Sequence, residues 1–139
     1  ILSVSSVASN SAPTAVSASI NTDEDTPSAL VVPDVTDPDD ADTHTFTIVL
    51  QPSNGRAEIA GNAVKYTPNE NYFGADTFSI RATDKGGLSV DGTVSVTVNP
   101  INDAPVATTD ADSTEEDTPI TMDVLANDTD IESDDLSIL

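Results

Sequence analysis

Asn102-Asp103-Ala104-Pro105 repeats Asn10-Ser11-Ala12-Pro13 about 92 residues on, and Thr114-Glu115-Glu116-Asp117-Thr118-Pro119 repeats Thr22-Asp23-Glu24-Asp25-Thr26-Pro27 at the same offset. Asp37-Pro38-Asp39 returns as Asp128-Thr129-Asp130 after a one-residue gap. Three matches in nearly one register mark an internal repeat. A period of this length is that of a β-sandwich module, not of a solenoid. The chain therefore parses into four parts. Residues 1–12 are the last strand of a preceding repeat plus a linker, because 1–9 (ILSVSSVAS) align with 93–101 (TVSVTVNPI). Residues 13–100 form one complete module, 101–105 a linker, and 106–139 the truncated start of the next repeat. On this reading residue 1 is a cut inside a longer chain.

Within 13–100 the strand signals are short and evenly spaced. Thr45–Leu50 is β-rich. Asn54-Gly55 follows, a strong hairpin signal. Residues 56–59 and 63–66 are short strands around a turn at Gly61-Asn62. In residues 77–82, Phe78, Ile80 and Ala82 share one face. Asp84-Lys85-Gly86-Gly87 is a turn, and Leu88, Val90, Val94, Val96 and Val98 alternate along a long final strand. Residues 15–20 and 29–32 fill the remaining places. About seven strands at this spacing, with no helix among scattered prolines and β-branched residues, predict an all-β, Ig-like Greek-key sandwich. Its few large core pieces are Phe46, Tyr66, Tyr72, Phe73 and Phe78. Low apolar content and high net charge also describe disorder. The alternation argues against it for 13–100 and leaves it open for 106–139.

Charge sorts the possible partners. The chain has 25 acids against 4 bases, a net charge of −21. Phosphate binding needs clustered Lys and Arg, so nucleic acid is excluded as a partner, and an anionic membrane surface is disfavoured. No apolar run is long enough for a membrane span. No basic n-region precedes an apolar stretch as in a signal peptide. With no cysteine, a small extracellular module needs a staple other than a disulfide, and a metal ion is one.

The acids differ by position. Glu58, Asp91, Asp110 and Asp123 read as solvated surface. Asp23-Glu24-Asp25, the run Asp34, Asp37, Asp39, Asp40, Asp42, and Asp84 fall in expected loops. Two carboxylates about 4 Å apart repel by roughly 4 kcal/mol at an effective dielectric of 20. A divalent cation reverses that sign. Ca²⁺ takes 6–8 oxygens in flexible geometry, whereas Mg²⁺ keeps more waters and Zn²⁺ wants His or Cys. Asp37-x-Asp39 in extended backbone points two carboxylates one way, and it recurs at Asp128-x-Asp130. The spacing fits no EF-hand, so the ligands are gathered from separate loops.

These residues resemble a family. Val98-Asn99-Pro100-Ile101-Asn102-Asp103-Ala104-Pro105 looks like the junction between cadherin repeats. Ala82-Thr83-Asp84-Lys85-Gly86-Gly87-Leu88-Ser89 is similar to the turn before their last strand. Glu24-Asp25-x-Pro27, Asp37-Pro38-Asp39, Tyr66-Thr67-Pro68 and Gly74-x-Asp76-x-Phe78 complete the likeness to bacterial cadherin-like tandem repeats, as in large RTX-type surface adhesins. The resemblance implies Ca²⁺ between successive modules, making the array rigid. One junction would use Glu24, Glu70, Asn102 and Asp103, completed by Asp128 and Asp130. Asp37, Asp39 and Asp84 would serve the junction with the preceding module. Ser11 stands where the lower linker has Asp103, so that upper junction lacks one ligand. The resemblance further implies a secreted, extracellular surface location, neighbouring repeats as partners, and homophilic or host-surface ligands.

The expected function is thus a Ca²⁺-stiffened structural or adhesive module. The alternative is a carbohydrate- or protein-binding sandwich. Sugar sites stack on exposed aromatics, yet there is no Trp, and Tyr72-Phe73 is expected to pack into the core. Catalysis is not expected. His44, flanked by threonines, has no acid–base partner at a fixed spacing and reads as a surface strand residue.

Overall fold

The computed structural model describes residues 9–39 and 42–138. The strand expected near the N-terminus (1–8) and the acid Asp40 lie outside them. The chain divides into two compact units, one ending at Pro100 and one starting at Ile101.

The first unit has seven strands: β1 Ala15–Asp23, β2 Asp34–Thr36, β3 Thr45–Leu50, β4 Gly55–Ala60, β5 Ala63–Pro68, β6 Gly74–Thr83 and β7 Ser89–Asn99. One sheet has the order β2-β1-β7-β6-β3, and β4-β5 form the second. β1 runs parallel to β7, and the other pairs are antiparallel. This is the expected all-β, Ig-like sandwich of seven strands. Period-two patterning places the core: Phe78, Ile80 and Ala82 of β6 and Val94, Val96 and Val98 of β7 are buried, with Ile20, Val64 and Tyr66 packed against them. Each β7 valine alternates with an exposed residue, as a half-buried strand requires.

Three local expectations change. Residues 29–32 are not a strand. Val31 makes an isolated bridge to Val64, and Ser28 N donates to Tyr66 O at 2.8 Å. Pro27 and Pro33 flank this segment, and proline removes a ladder donor, which limits its pairing with β5. The short edge strand is β2 instead, inside the acidic stretch. Secondly, Asn54-Gly55 is no hairpin: β3 pairs with β6 and β4 with β5, so this segment crosses between sheets. The β4–β5 pair does turn where expected, at Gly61, whose φ is +65°. Thirdly, Phe73 is 40% exposed while Tyr72 packs partly against the core.

Asp76 sits on the inward face of β6 and is buried. A buried carboxylate is costly unless hydrogen-bonded. Its oxygens accept from Asn54 N (2.8 Å), Thr77 N (2.8 Å), Ser53 N (3.3 Å) and the Tyr66 hydroxyl (3.0 Å). Burial, then the Asp76 carboxylate, push the Tyr66 phenol well above its ordinary pKa.

The second unit contains no strand among its described residues, only the bridge Val106–Thr129. Ile120, Met122, Val124 and Ile138 are exposed. Carboxylates accept backbone N–H groups within it, beside the bridge as Asp128 Oδ1 from Thr108 N at 2.8 Å and within a turn as Asp123 Oδ1 from Leu125 N at 3.3 Å.

Candidate metal centre

The β6–β7 turn closes tightly. Asp84 N donates to Leu88 O at 2.9 Å, and Asp84 Oδ1 accepts from Leu88 N at 2.8 Å. Asp84 is buried, and its Oδ2 accepts from Asn10 Nδ2 at 2.9 Å. Gly86 makes room for this contact, since a Cβ there would collide with the Asn10 amide. Burial opposes ionisation of Asp84, but hydrogen bonds from Asn10 and from the backbone of Leu88, Gly86 and Gly87 outweigh it. They hold its carboxyl below the ordinary value.

The β2–β3 connection supplies the other acids. Asp37 Oδ1 accepts from Asp39 N at 2.8 Å, and Asp37 Oδ2 lies 2.8 Å from His44 Nε2. Asp39 Oδ2 accepts from Ser11 N at 2.6 Å. One carboxylate oxygen from each of Asp37, Asp42 and Asp84 lies within 4.8 Å of the others. Among the described residues, the buried Asp42 Oδ2 has no hydrogen-bond partner. Oxygens ligating one Ca²⁺ at 2.3–2.6 Å can be no more than about 5 Å apart. Three hard carboxylates inside that limit fit Ca²⁺, and the donor set is unlike the His and Cys of a zinc site.

Two expected ligands, Asp37 and Asp84, are therefore brought together, while Asp39 anchors the linker. Asp42 takes its place in the cluster. The sequence showed Asp42 only as one of a run of acids, with nothing to single it out. His44 is not an ordinary surface residue: its side chain is 12% exposed and pairs with Asp37.

Of the ligands implied for the other junction, Glu24 and Glu70 belong to the first unit. Glu24 is buried, and its N–H donates to Asn99 O at 2.9 Å. Glu70 is exposed and in neither acid grouping. In the second unit Asn102 Nδ2 donates to Asp103 O at 2.7 Å, and Asp103 N to Glu132 Oε2 at 3.1 Å. Asp130 Oδ1 accepts from Asp134 N at 3.1 Å. Glu132 carried no motif that would have marked it.

No helix among the described residues is long and apolar enough to cross a membrane. No curated protein matches the chain. Among solved structures, an endo-fucoidan hydrolase from glycoside hydrolase family 107 is 21% identical, with a TM-score of 0.45, over 70% of this chain and 15% of its own. The chain thus spans a small part of that enzyme, and the likeness carries no activity across. The family model described as "Bacterial Ig domain" matches residues 10–97 and 102–139. With its two-layer sheet topology and most of its length matched, the chain belongs to the bacterial Ig domain family.

Proposed function

We propose that this chain is a Ca²⁺-stiffened, structural or adhesive tandem module of a secreted bacterial surface protein. Bacterial Ig domains commonly occur in surface or extracellular proteins and are typically non-catalytic modules. The observation that supports the calcium reading is the gathering of Asp37, Asp42 and Asp84 oxygens within 4.8 Å. The linker lies beside them, tied by Asn10 to Asp84 and by Ser11 to Asp39. An ion at this point neutralises three carboxylates and fixes the direction in which the linker leaves the module. Without it, neighbouring modules move freely, since contacts between domains default to mobility. The partners on this reading are neighbouring repeats, with homophilic or host-surface ligands for the whole array.

The test is thermal melting with and without the ion. Extracellular Ca²⁺ modules bind at about 10⁻⁴–10⁻³ M. At 10 mM Ca²⁺ mass action then adds roughly 1.5–3 kcal/mol, which raises Tm by roughly 5–15 °C over the EDTA sample. Asp42→Asn is expected to remove most of that rise. Equal melting in Ca²⁺ and EDTA, together with no heat of binding in calorimetry, overturns the reading.

A further inference from the structure

The two copies of the repeat differ in how they hold their linkers. In the first, the N–H of Ser11 is accepted by Asp39, the second acid of Asp37-x-Asp39. Asp103 occupies the place of Ser11 in the second copy, and its N–H goes to Glu132 Oε2 instead. Asp130, the counterpart of Asp39, is engaged at its own turn by Asp134 N. The acid two residues further on has taken over the linker contact.

That contact leaves one oxygen of each carboxylate without a donor. Asp103 Oδ2 and Glu132 Oε1 are both buried, and among the described residues neither has a hydrogen-bond partner. Carboxylate oxygens of these two residues lie within 4.8 Å of each other. A buried carboxylate oxygen without a donor is unfavourable, and a like-charged pair at this range adds repulsion. Only hard oxygen donors are offered, at a separation that one Ca²⁺ spans. The first copy has the same signature at Asp42 Oδ2, beyond its own D-x-D.

We infer that Asp103 and Glu132 hold a divalent cation of the Ca²⁺ class in the second copy, and that Glu132, rather than Asp130, is the ligand there. This rests on the calcium reading above and changes its ligand set. Glu132 both fixes the linker through Oε2 and offers Oε1 to the ion.

The experiment is a Ca²⁺ titration of the full chain followed by backbone amide NMR, on the wild type, Glu132→Gln and Asp130→Asn. Glutamine keeps an acceptor for Asp103 N while removing the charge. Amides of Val106 and Thr129, paired by the bridge of the second unit, report that each variant keeps its local structure there. In the wild type, Asp103 and Glu132 amides are expected to shift with Ca²⁺. Glu132→Gln is expected to weaken that midpoint about tenfold or more, because affinity follows ligand charge, while Asp130→Asn changes it less than about threefold. The midpoint at Asp37, Asp42 and Asp84 stays unchanged in both. An unaltered Asp103 midpoint in Glu132→Gln, or an equal loss in Asp130→Asn, overturns this inference and leaves the first site standing. No shift at either place overturns the calcium reading itself.

Discussion

A Cβ at Gly55 would lie 2.5 Å from the Tyr66 hydroxyl and from Thr67 O. The glycine of Asn54-Gly55 is thus required by close approach to a buried ring, not by a hairpin. Gly55→Ala is expected to cost about 1–3 kcal/mol through overpacking, read from chemical denaturation. Tyr66→Phe removes the donor to Asp76, and a buried acceptor left short costs about 1–3 kcal/mol. A loss below about 0.5 kcal/mol would show that the N–H groups of Ser53, Asn54 and Thr77 satisfy Asp76 without the phenol. On the surface, Arg81 Nε and Nη2 grip Asp91 at 2.6 and 2.9 Å. The Arg81 hydrogen bonds hold the Asp91 carboxyl below its ordinary pKa. A folded pKa below the unfolded value of about 3.9 means the contribution is present above about pH 4 and fades as pH falls through the folded value. Arg81→Met is expected to return Asp91 to an ordinary titration, seen by carboxyl carbon NMR.

Among elements, β7 carries the core most directly. Val94 is wholly buried at its centre. Val94→Ala is expected to cost about 2–4 kcal/mol, with a lower denaturation midpoint and an unchanged slope. Strands of this kind were legible in the sequence, because alternating Val94, Val96 and Val98 allow one burial pattern only. The β6–β7 turn was legible too, from Asp84 and its glycines. What escaped was short or aperiodic. β2 is three residues at an edge, with no apolar repeat to announce it. The grouping of acids is partly loop geometry: nothing in the order of Asp37, Asp39 and Asp42 shows that the second turns to Ser11 and the third to the cluster. His44 was missed for the same reason, as its partner lies seven residues back through an irregular loop.

For the whole molecule, the two units differ in what stabilises them. The first has a packed core; the second is held by carboxylate-capped turns and leaves Val124 38% exposed. Val124→Ala is therefore expected to change stability by less than about 0.5 kcal/mol. A chain ended at Pro100 is expected to keep the cooperative unfolding transition of the longer one, within about 0.5 kcal/mol in the absence of Ca²⁺. A larger loss would mean that residues 101–139 support the sandwich. The parallel ladder of β1 and β7 has a consequence for an array of such modules. Seven residue pairs, from Ser17 with Thr93 to Asp23 with Asn99, join the strand where the chain enters to the strand where it leaves. Because these strands run the same way, entry and exit lie at opposite ends of the module. Tension along the chain therefore loads every rung of that ladder in shear at once, rather than peeling the rungs apart in turn, and the module yields only when they fail together.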